Sequence, residues 1–595
     1  MCGIFGIVTK NEQLLGNILA EAAQRLTYRG YDSVGAATIS GAKVDLRKDV
    51  GRVKDVAVKY NFAEMSGQRG ITQLRWATFG EPSQVNSQPH LDSDGDLVGA
   101  HNGNVVNNVE LRQQFMAEGM TVRSMNDGES CVHAVERYIN RGEGFIDAIR
   151  HAYDDLQGDY SFVIGSVNDD KLYAFKKGSG LVVGLGEDFS CVSSDLPSIL
   201  PLTRKIMRLN DGEIITLWHD RVELHSVKDG SLIAREPELV TETMEAVQKG
   251  GFAHFMLKEV HEQSQVAREV LHMLDGSPDV ATVVEKMKNA RNLYFIGCGT
   301  SYHACLTGAV YFAQLAGRPV IPVLAPQFMP QYAPTVNAQD VGLFVSQSGE
   351  TKDVLNALEV AEARGMTCFG LANVIGSTLT KATVCSLPLC CGYEISVPAT
   401  KTFTNQVVSF LYLAYRLAGR DTQELETIPA LMDKTLEMVS EQVETIAAEI
   451  NVWNDLYCLG YGATYPIALE GALKLKEITY AHCEGMLSTE FKHGPLSAVT
   501  KGFPILFAAG PNDLPLLVSG LNEVTCRGAR AIAIGQDDPR LHANASDVIV
   551  IPDSTPEIAA LLAVLPLQLL SYHMSVLRGY DPDFPRNLSK TLTVD

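Results

Sequence analysis

The stretch LYFIGCGTSYHACLTGA, which begins at Leu293, returns 163 residues later as LYCLGYGATYPIALEGA, from Leu456. Leu293/Leu456, Tyr294/Tyr457, Gly297/Gly460, Gly299/Gly462, Tyr302/Tyr465, Leu306/Leu469, Gly308/Gly471 and Ala309/Ala472 match in this one register. Gly365 and Gly528, each in an Arg-Gly pair, keep it. So many matches at one offset mean an internal repeat. Each copy begins with an apolar run, a Gly-rich turn and a helix-like pattern, the βα unit of a doubly wound parallel sheet. Two copies of one α/β domain are therefore expected, over 286–425 and 450–580.

The residues before the repeat read differently. YSFVIGSV, KLYAFKK, CVSSD and EIITLWH are short β-type runs separated by Gly and Asp turns. From VTETMEAVQKGG onward the pattern turns helical and charged. The reading is a β-rich domain over 2–239, a helical linker over 240–285, and a C-terminal tail over 581–595. A chain of 595 residues is too long for one core.

Charge and composition narrow the function classes. With 49 basic and 70 acidic residues the net charge is −21, which argues against a broad basic face for nucleic acid. The N-terminus lacks the basic and long apolar stretches of a secretory signal. The most apolar late segment, IAALLAVLPLQLL, is interrupted by Pro566 and too short to span a bilayer; it reads as a buried helix. The 12 cysteines include no CxxC pair, and the adjacent Cys390 and Cys391 suit neither a metal site nor an easy disulfide. A reducing, cytoplasmic setting is expected, with no membrane partner and no metal.

Four motifs carry chemistry. In MCGIFG, removal of Met1 gives Cys2 both a thiol and a free α-amine, so nucleophile and base share one residue; chance is the plain alternative. In LFVSQSGETKDVL, Ser346, Gln347, Ser348 and Thr351 cluster where a helix should begin, a seat for phosphate or an ordinary N-cap. The equivalent loop of the second copy, LFAAGPNDLPLL, lacks these hydroxyls. In LEGALKLKEITYAHCEG, Glu470, Lys474 and Glu477 share one helix face, solvated or buried, and EFKHGP places His493 before a helix stop, a position that alone fits a structural histidine. The tail PRNLSKTLTVD alternates apolar residues around Lys590, which suits packing that carries the lysine into a pocket.

MCGIFG, YRGYDS, RWAT, HNG, SQSGET, LEGALKLKE, KHGPL and PRNLSK occur in this order over essentially the whole length. Together they resemble the glutamine–fructose-6-phosphate aminotransferase (isomerising) family. The resemblance implies an α/β and α+β fold: an N-terminal Ntn-type αββα glutaminase sandwich, then two doubly wound parallel-sheet SIS domains. It implies L-glutamine and fructose 6-phosphate as substrates, ammonia passed between two sites, a homodimer through the SIS domains, and no metal or redox cofactor. Carried over by position, Cys2 attacks the glutamine amide. Asn102 and Gly103 hold the oxyanion, Arg75 and Asp127 hold the α-carboxylate and α-ammonium, and Thr78 adds to that site. Trp76 gates the ammonia route. Thr300, Ser301, Ser346, Gln347, Ser348 and Thr351 hold the sugar phosphate. Lys590 forms a Schiff base at C2, His493 of the neighbouring subunit opens the ring, Glu477 moves a proton between C1 and C2, and Lys474 is a further member of that site.

The chain departs from the family pattern at several places. Gln73 and Phe79 stand where the pattern has histidines, Gly128 where it has Thr, Pro398 where it has Ala, and Ala399 where it has Ser; Ser589 replaces Ala. These leave the nucleophile, base and Schiff-base lysine in place and bear on glutamine affinity and sugar fit. Two rivals follow: a glutamine-dependent SIS enzyme acting on another ketose phosphate, and a sugar-phosphate sensor without chemistry.

Overall fold

The computed structural model describes residues 2–30, 32–77, 79–178, 180–240 and 249–590. Two compact units divide the chain: Met1–Gln248 with Ser589–Asp595, and Lys249–Leu588.

The first unit stacks two antiparallel sheets. One has eight strands in the order Glu238–Leu239, Lys205–Arg208, Val182–Leu185, Phe189–Ser193, Gly3–Leu14, Ser66–Arg75, Ser33–Ser40, Lys43–Val50. The other has seven: Leu232–Ile233, Val222–Ser226, Glu213–Leu217, Leu172–Lys177, Gly158–Ser166, Leu97–Val105, His90–Leu91. Period-2 alternation fixes what each face meets. On the strand Gly158–Ser166, Val163 joins Ile4, Val8 and Ile71 of the other sheet. Its neighbours Phe162 and Ile164 join Val132 and Val135 of the helix Asp127–Ile139. Gly70 of the first sheet abuts Leu15 and Leu19, so the helix Gly16–Arg25 covers that sheet's outer face. The layers run helix, sheet, sheet, helix, the αββα sandwich the resemblance implies.

The second unit holds the repeat. Its two five-stranded parallel sheets run Ile321–Leu324, Leu293–Gly297, Val341–Ser346, Thr367–Ala372, Ser386–Pro388 and His482–Leu487, Asp455–Gly460, Pro504–Ala508, Arg530–Gln536, Asp547–Ile551. Both have the order 2-1-3-4-5, and every strand finds its counterpart at the sequence offset. Such sheets bind ligands at the carboxyl ends of strands 1 and 3, where the winding direction reverses. In the first copy that crevice lies after Gly297 and Ser346, next to the hydroxyl cluster.

One apolar core runs through both copies, with Phe295, Leu343 and Phe410 of the first and Leu456, Ile532 and Leu567 of the second. The apolar segment Pro556–Leu577 is long and apolar enough to cross a membrane, with mean hydropathy 1.6, yet 83% of its most apolar window is buried inside this core. It forms two helices, Pro556–Leu562 and Val564–Leu577. The interruption falls at Ala563 rather than Pro566, which sits in the first turn of the second helix. There a missing N–H leaves no hydrogen bond unmade.

Candidate active sites

Register places Cys2. Gly3 pairs with Leu74 and Ile4 with Gln73, so the preceding residue arrives beside the Arg75–Trp76 bend. Cys2 Sγ accepts a hydrogen bond from the Trp76 N–H at 3.3 Å and donates to Trp76 O at 3.5 Å. Arg29 Nε donates to Cys2 O at 3.1 Å. Burial pushes the thiol pKa up; the Trp76 N–H and the Arg75 charge pull it back, and Asp127 adds to the rise. A resting thiol of this kind needs a base in contact with it before it attacks.

Asn102 and Gly103 lie on the inner strand Leu97–Val105. Asn102 is 1% exposed, and neither its Oδ1 nor its Nδ2 has a hydrogen-bond partner among the described residues. Each unmet buried group disfavours the fold by about 1–3 kcal/mol, the signature of a group reserved for something else. Gly103 has φ +109°, and a Cβ there would stand 2.1 Å from Asp159 O. Only glycine fits.

Arg75 and Asp127 are both fully buried. The Arg75 guanidinium turns into its own loop, donating to Gly80 O at 2.5 Å, Glu81 O at 3.3 Å and Phe79 O. Asp127, capped into its helix by the preceding Asn126, accepts from His101 Nε2 at 3.1 Å and the Val105 N–H at 3.0 Å. Thr78 lies outside the described residues.

In the second unit, Glu470, Lys474 and Glu477 lie on the helix Thr464–Thr479, as their spacing predicts. Their face is not solvated: Glu470 and Lys474 are fully buried. The Lys474 ammonium contacts Glu477 at 2.5 Å and Glu470 at 3.3 Å. Burial works against its charge, but the two carboxylates outweigh burial and hold its pKa above the usual lysine range. Glu470 reaches across to the other copy, accepting from Thr300 Oγ1 at 3.1 Å and from His303 Nδ1 at 2.8 Å. Lys474 Nζ also donates to Thr300 Oγ1 at 3.1 Å. Each copy thus supplies what the other lacks.

The hydroxyls of the SQSGET loop bond to one another and to the loop's own backbone. Thr351 is the N-cap of Lys352–Ala363, but its side chain makes no cap hydrogen bond. It meets Ser346 Oγ at 3.0 Å, and the Gly349 N–H donates to that same oxygen at 3.0 Å. Ser348 Oγ accepts from the Glu350 N–H at 3.1 Å. Ser301 Oγ accepts from Gln406 Nε2 at 2.9 Å, while Gln347 is half-buried at the strand end. His493 is exposed, and its imidazole makes no hydrogen bond or ion pair among the described residues. Lys590 is half-buried and falls with the first unit.

Comparison with known proteins bears on both units. A glutamine amidotransferase domain model matches residues 75–200, and an SIS domain model matches 286–416 and 449–578. Glutamine–fructose-6-phosphate aminotransferase [isomerizing] from Pyrobaculum aerophilum is 38% identical, and the one from Aquifex aeolicus 37%, each over 100% of both chains. The chain belongs to this family. Its second unit is similar to the solved C-terminal domain of glucosamine-fructose-6-phosphate aminotransferase from Francisella tularensis, with 31% identity and a TM-score of 0.52 over 57% of this chain and 100% of that one. A tagatose-6-phosphate ketose/aldose isomerase from Escherichia coli, at 18% identity and TM-score 0.51 over 56% of this chain and 96% of that one, shares the fold alone.

Several family-site neighbours were not legible beforehand. His303, Gln406 and His101 bond directly to named site residues, yet no spacing rule marks them, since each meets its partner across the fold. Two buried carboxylates also order the segment that carries Pro398 and Ala399. Glu259 accepts from the Ser396 N–H at 3.2 Å, and Glu394 from the Thr400 and Thr402 N–H groups at 2.9 and 3.1 Å.

Proposed function

We propose that the chain releases ammonia from L-glutamine and uses it to convert fructose 6-phosphate to glucosamine 6-phosphate. With Met1 removed, the Cys2 α-amine takes the thiol proton and the thiolate attacks the side-chain amide carbonyl. Asn102 Nδ2 and the Gly103 N–H stabilise the oxyanion. Ammonia leaves, and water cleaves the thioester to glutamate. Arg75 and Asp127 orient the substrate's α-carboxylate and α-ammonium, and Trp76, touching the thiol, gates the departing ammonia.

In the isomerase half, Ser346, Gln347, Ser348 and Thr351 seat the phosphate with Thr300 and Ser301. Lys590 condenses with C2 of the opened sugar, expelling water; ammonia then displaces the lysine amine from C2, freeing Lys590, and the resulting imine acidifies the C1 proton. Glu477 takes that proton and returns it at C2, with Lys474 holding its carboxylate. His493 acts from a neighbouring subunit of a homodimer, and the enzyme is cytoplasmic. The observation that carries the reading is the Glu470–Lys474–Glu477 face against Thr300: a charged face sealed next to hydroxyls, where a fold built for stability alone places apolar side chains.

The test is direct assay of glucosamine 6-phosphate from glutamine and fructose 6-phosphate. Product at enzyme-like turnover is expected, and glutamate release without amino sugar overturns the reading. Pro398 and Ala399 motivate a second reading, another ketose phosphate as acceptor, which a substrate panel separates. Borohydride trapping of a sugar at Lys590 separates both from a non-catalytic sensor.

A further inference from the structure

Gln73, Phe79 and Gly128 are among the departures from the family pattern. Two of them meet one residue, His101. Gln73 Nε2 donates to His101 O at 3.2 Å. A Cβ on Gly128 would lie 2.6 Å from His101 Nδ1, 2.6 Å from Gln88 Oε1 and 2.8 Å from Asn126 Oδ1. Gln88 itself is fully buried against His101.

The backbone of His101 fixes which way the Gln88 carboxamide points. Gln88 Oε1 accepts from the His101 N–H at 2.7 Å, and Gln88 Nε2 donates to His101 O at 3.1 Å. A main-chain N–H only donates and a carbonyl only accepts, so the amide has one orientation. Its NH₂ then faces His101 Nδ1 at 3.0 Å, which leaves Nδ1 as an acceptor. The ring proton belongs on Nε2, which faces Asp127 Oδ2 at 3.1 Å. A second proton, on Nδ1, would oppose the Gln88 N–H.

We propose that Gln88 and His101 are positioning residues of the glutamine site: Gln88 holds His101 as the neutral Nε2–H tautomer that donates to Asp127, and Gly128 leaves the room this clamp needs. Asp127 then keeps its full negative charge for the substrate's α-ammonium, because no imidazolium competes for it. The inference rests on the glutaminase reading above.

The charged and titratable groups around His101 are accounted for. Asp127 faces it from the helix Asp127–Ile139. His90, on the neighbouring strand, is held neutral because burial drives its pKa well down, with Lys48 adding to the fall. Lys48, from the other sheet, bonds to Ser87 O at 2.6 Å and Pro89 O at 3.0 Å. Glu129 is tied to the Arg123 and Ser124 N–H groups at 2.8 and 2.6 Å. None of these supplies an acceptor to Nδ1.

The experiment compares wild-type, Gln88→Met and Gly128→Thr full-length chains in glutamine hydrolysis between about pH 6 and 8. In wild type the KM for glutamine is expected to be flat across this range. In both variants it rises at least about tenfold, the loss expected for a hydrogen bond to a charged group, with kcat nearly unchanged. In Gln88→Met it climbs further as pH falls, because the freed Nδ1 takes a proton. Wild-type KM in Gln88→Met at every pH overturns the proposal, as does an equal loss in kcat with no pH dependence. Histidine ¹⁵N spectra of the wild type decide the tautomer without a variant: Nε2 protonated and Nδ1 bare throughout is expected, and the reverse tautomer or a titrating ring overturns it. A wild type that hydrolyses no glutamine instead overturns the functional reading, and the spectra still decide the tautomer.

Discussion

Thr300 and Lys474 are 174 residues apart in sequence and 3.1 Å apart in space. One belongs to each copy of the repeat, so the polar centre of the second unit exists only because the copies pack on one shared core.

Lys474→Met tests that centre. It leaves the buried Glu470 and the half-buried Glu477 facing one another without a cation, and breaking such a buried pair destabilises a fold by about 3–5 kcal/mol. The expected result is a lower unfolding temperature for the second unit and loss of sugar turnover, while glutamine hydrolysis stays. The sign of the pH effect follows from the raised Lys474 pKa. The stabilisation is fully present below the unfolded lysine value of about 10.4 and is lost only as pH rises past it. The difference from wild type should therefore be the same at pH 6 and pH 8.

Cys2→Ala removes the only sulfur in contact with Trp76 among the described residues. Glutamine-dependent synthesis and glutamate release should fall to background. Protection of the second unit by fructose 6-phosphate in thermal unfolding should persist. Residual glutamine-driven turnover in that variant would rule Cys2 out as nucleophile.

Asn102→Ala deletes a donor that has no partner to lose among the described residues. Glutaminase kcat should drop about 10²–10³-fold, and because two unmet polar atoms leave the interior, stability should hold or rise. Gly103→Ala should behave differently. Its Cβ meets Asp159 O at 2.1 Å with φ at +109°, so both activity and unfolding temperature should fall. Matching losses of stability in the two variants would count against a special role for Asn102.

Ser346→Ala frees both the Gly349 N–H and Thr351 Oγ1 from their shared partner. The KM for the sugar phosphate should rise about 10-fold or more, with glutaminase kinetics of the first unit unchanged. An unchanged KM would return the hydroxyl cluster to the plainer role of helix capping.

The repeat was legible because glycines and apolar residues that build a βα turn cannot drift without breaking it. Leu293 and Leu456 kept their register and became the same strand in two sheets. The motif residues were legible where chemistry forces residue type, as at Cys2 and Lys474. Directions were not. Nothing in RWAT says that the Arg75 guanidinium turns to the carbonyls of Phe79, Gly80 and Glu81. Nothing in HNG says that His101 is read by Gln88. These contacts close across sheets, and sequence spacing carries no information about them. Helix spacing alone left the face of Glu470 open between solvent and interior; the packing of one copy on the other decided it.

The second copy retains the crevice geometry of the first but differs at its rim. Where Glu350 follows the hydroxyls in one loop, the counterpart loop has Pro511, Asn512 and then Asp513, a carboxylate whose pKa is raised by burial. This loop sequence offers an incoming phosphate dianion no hydroxyl and no cation, only a carboxylate that gains nothing from its approach. Despite its internal two-fold likeness, the chain should titrate with a single equivalent of sugar phosphate.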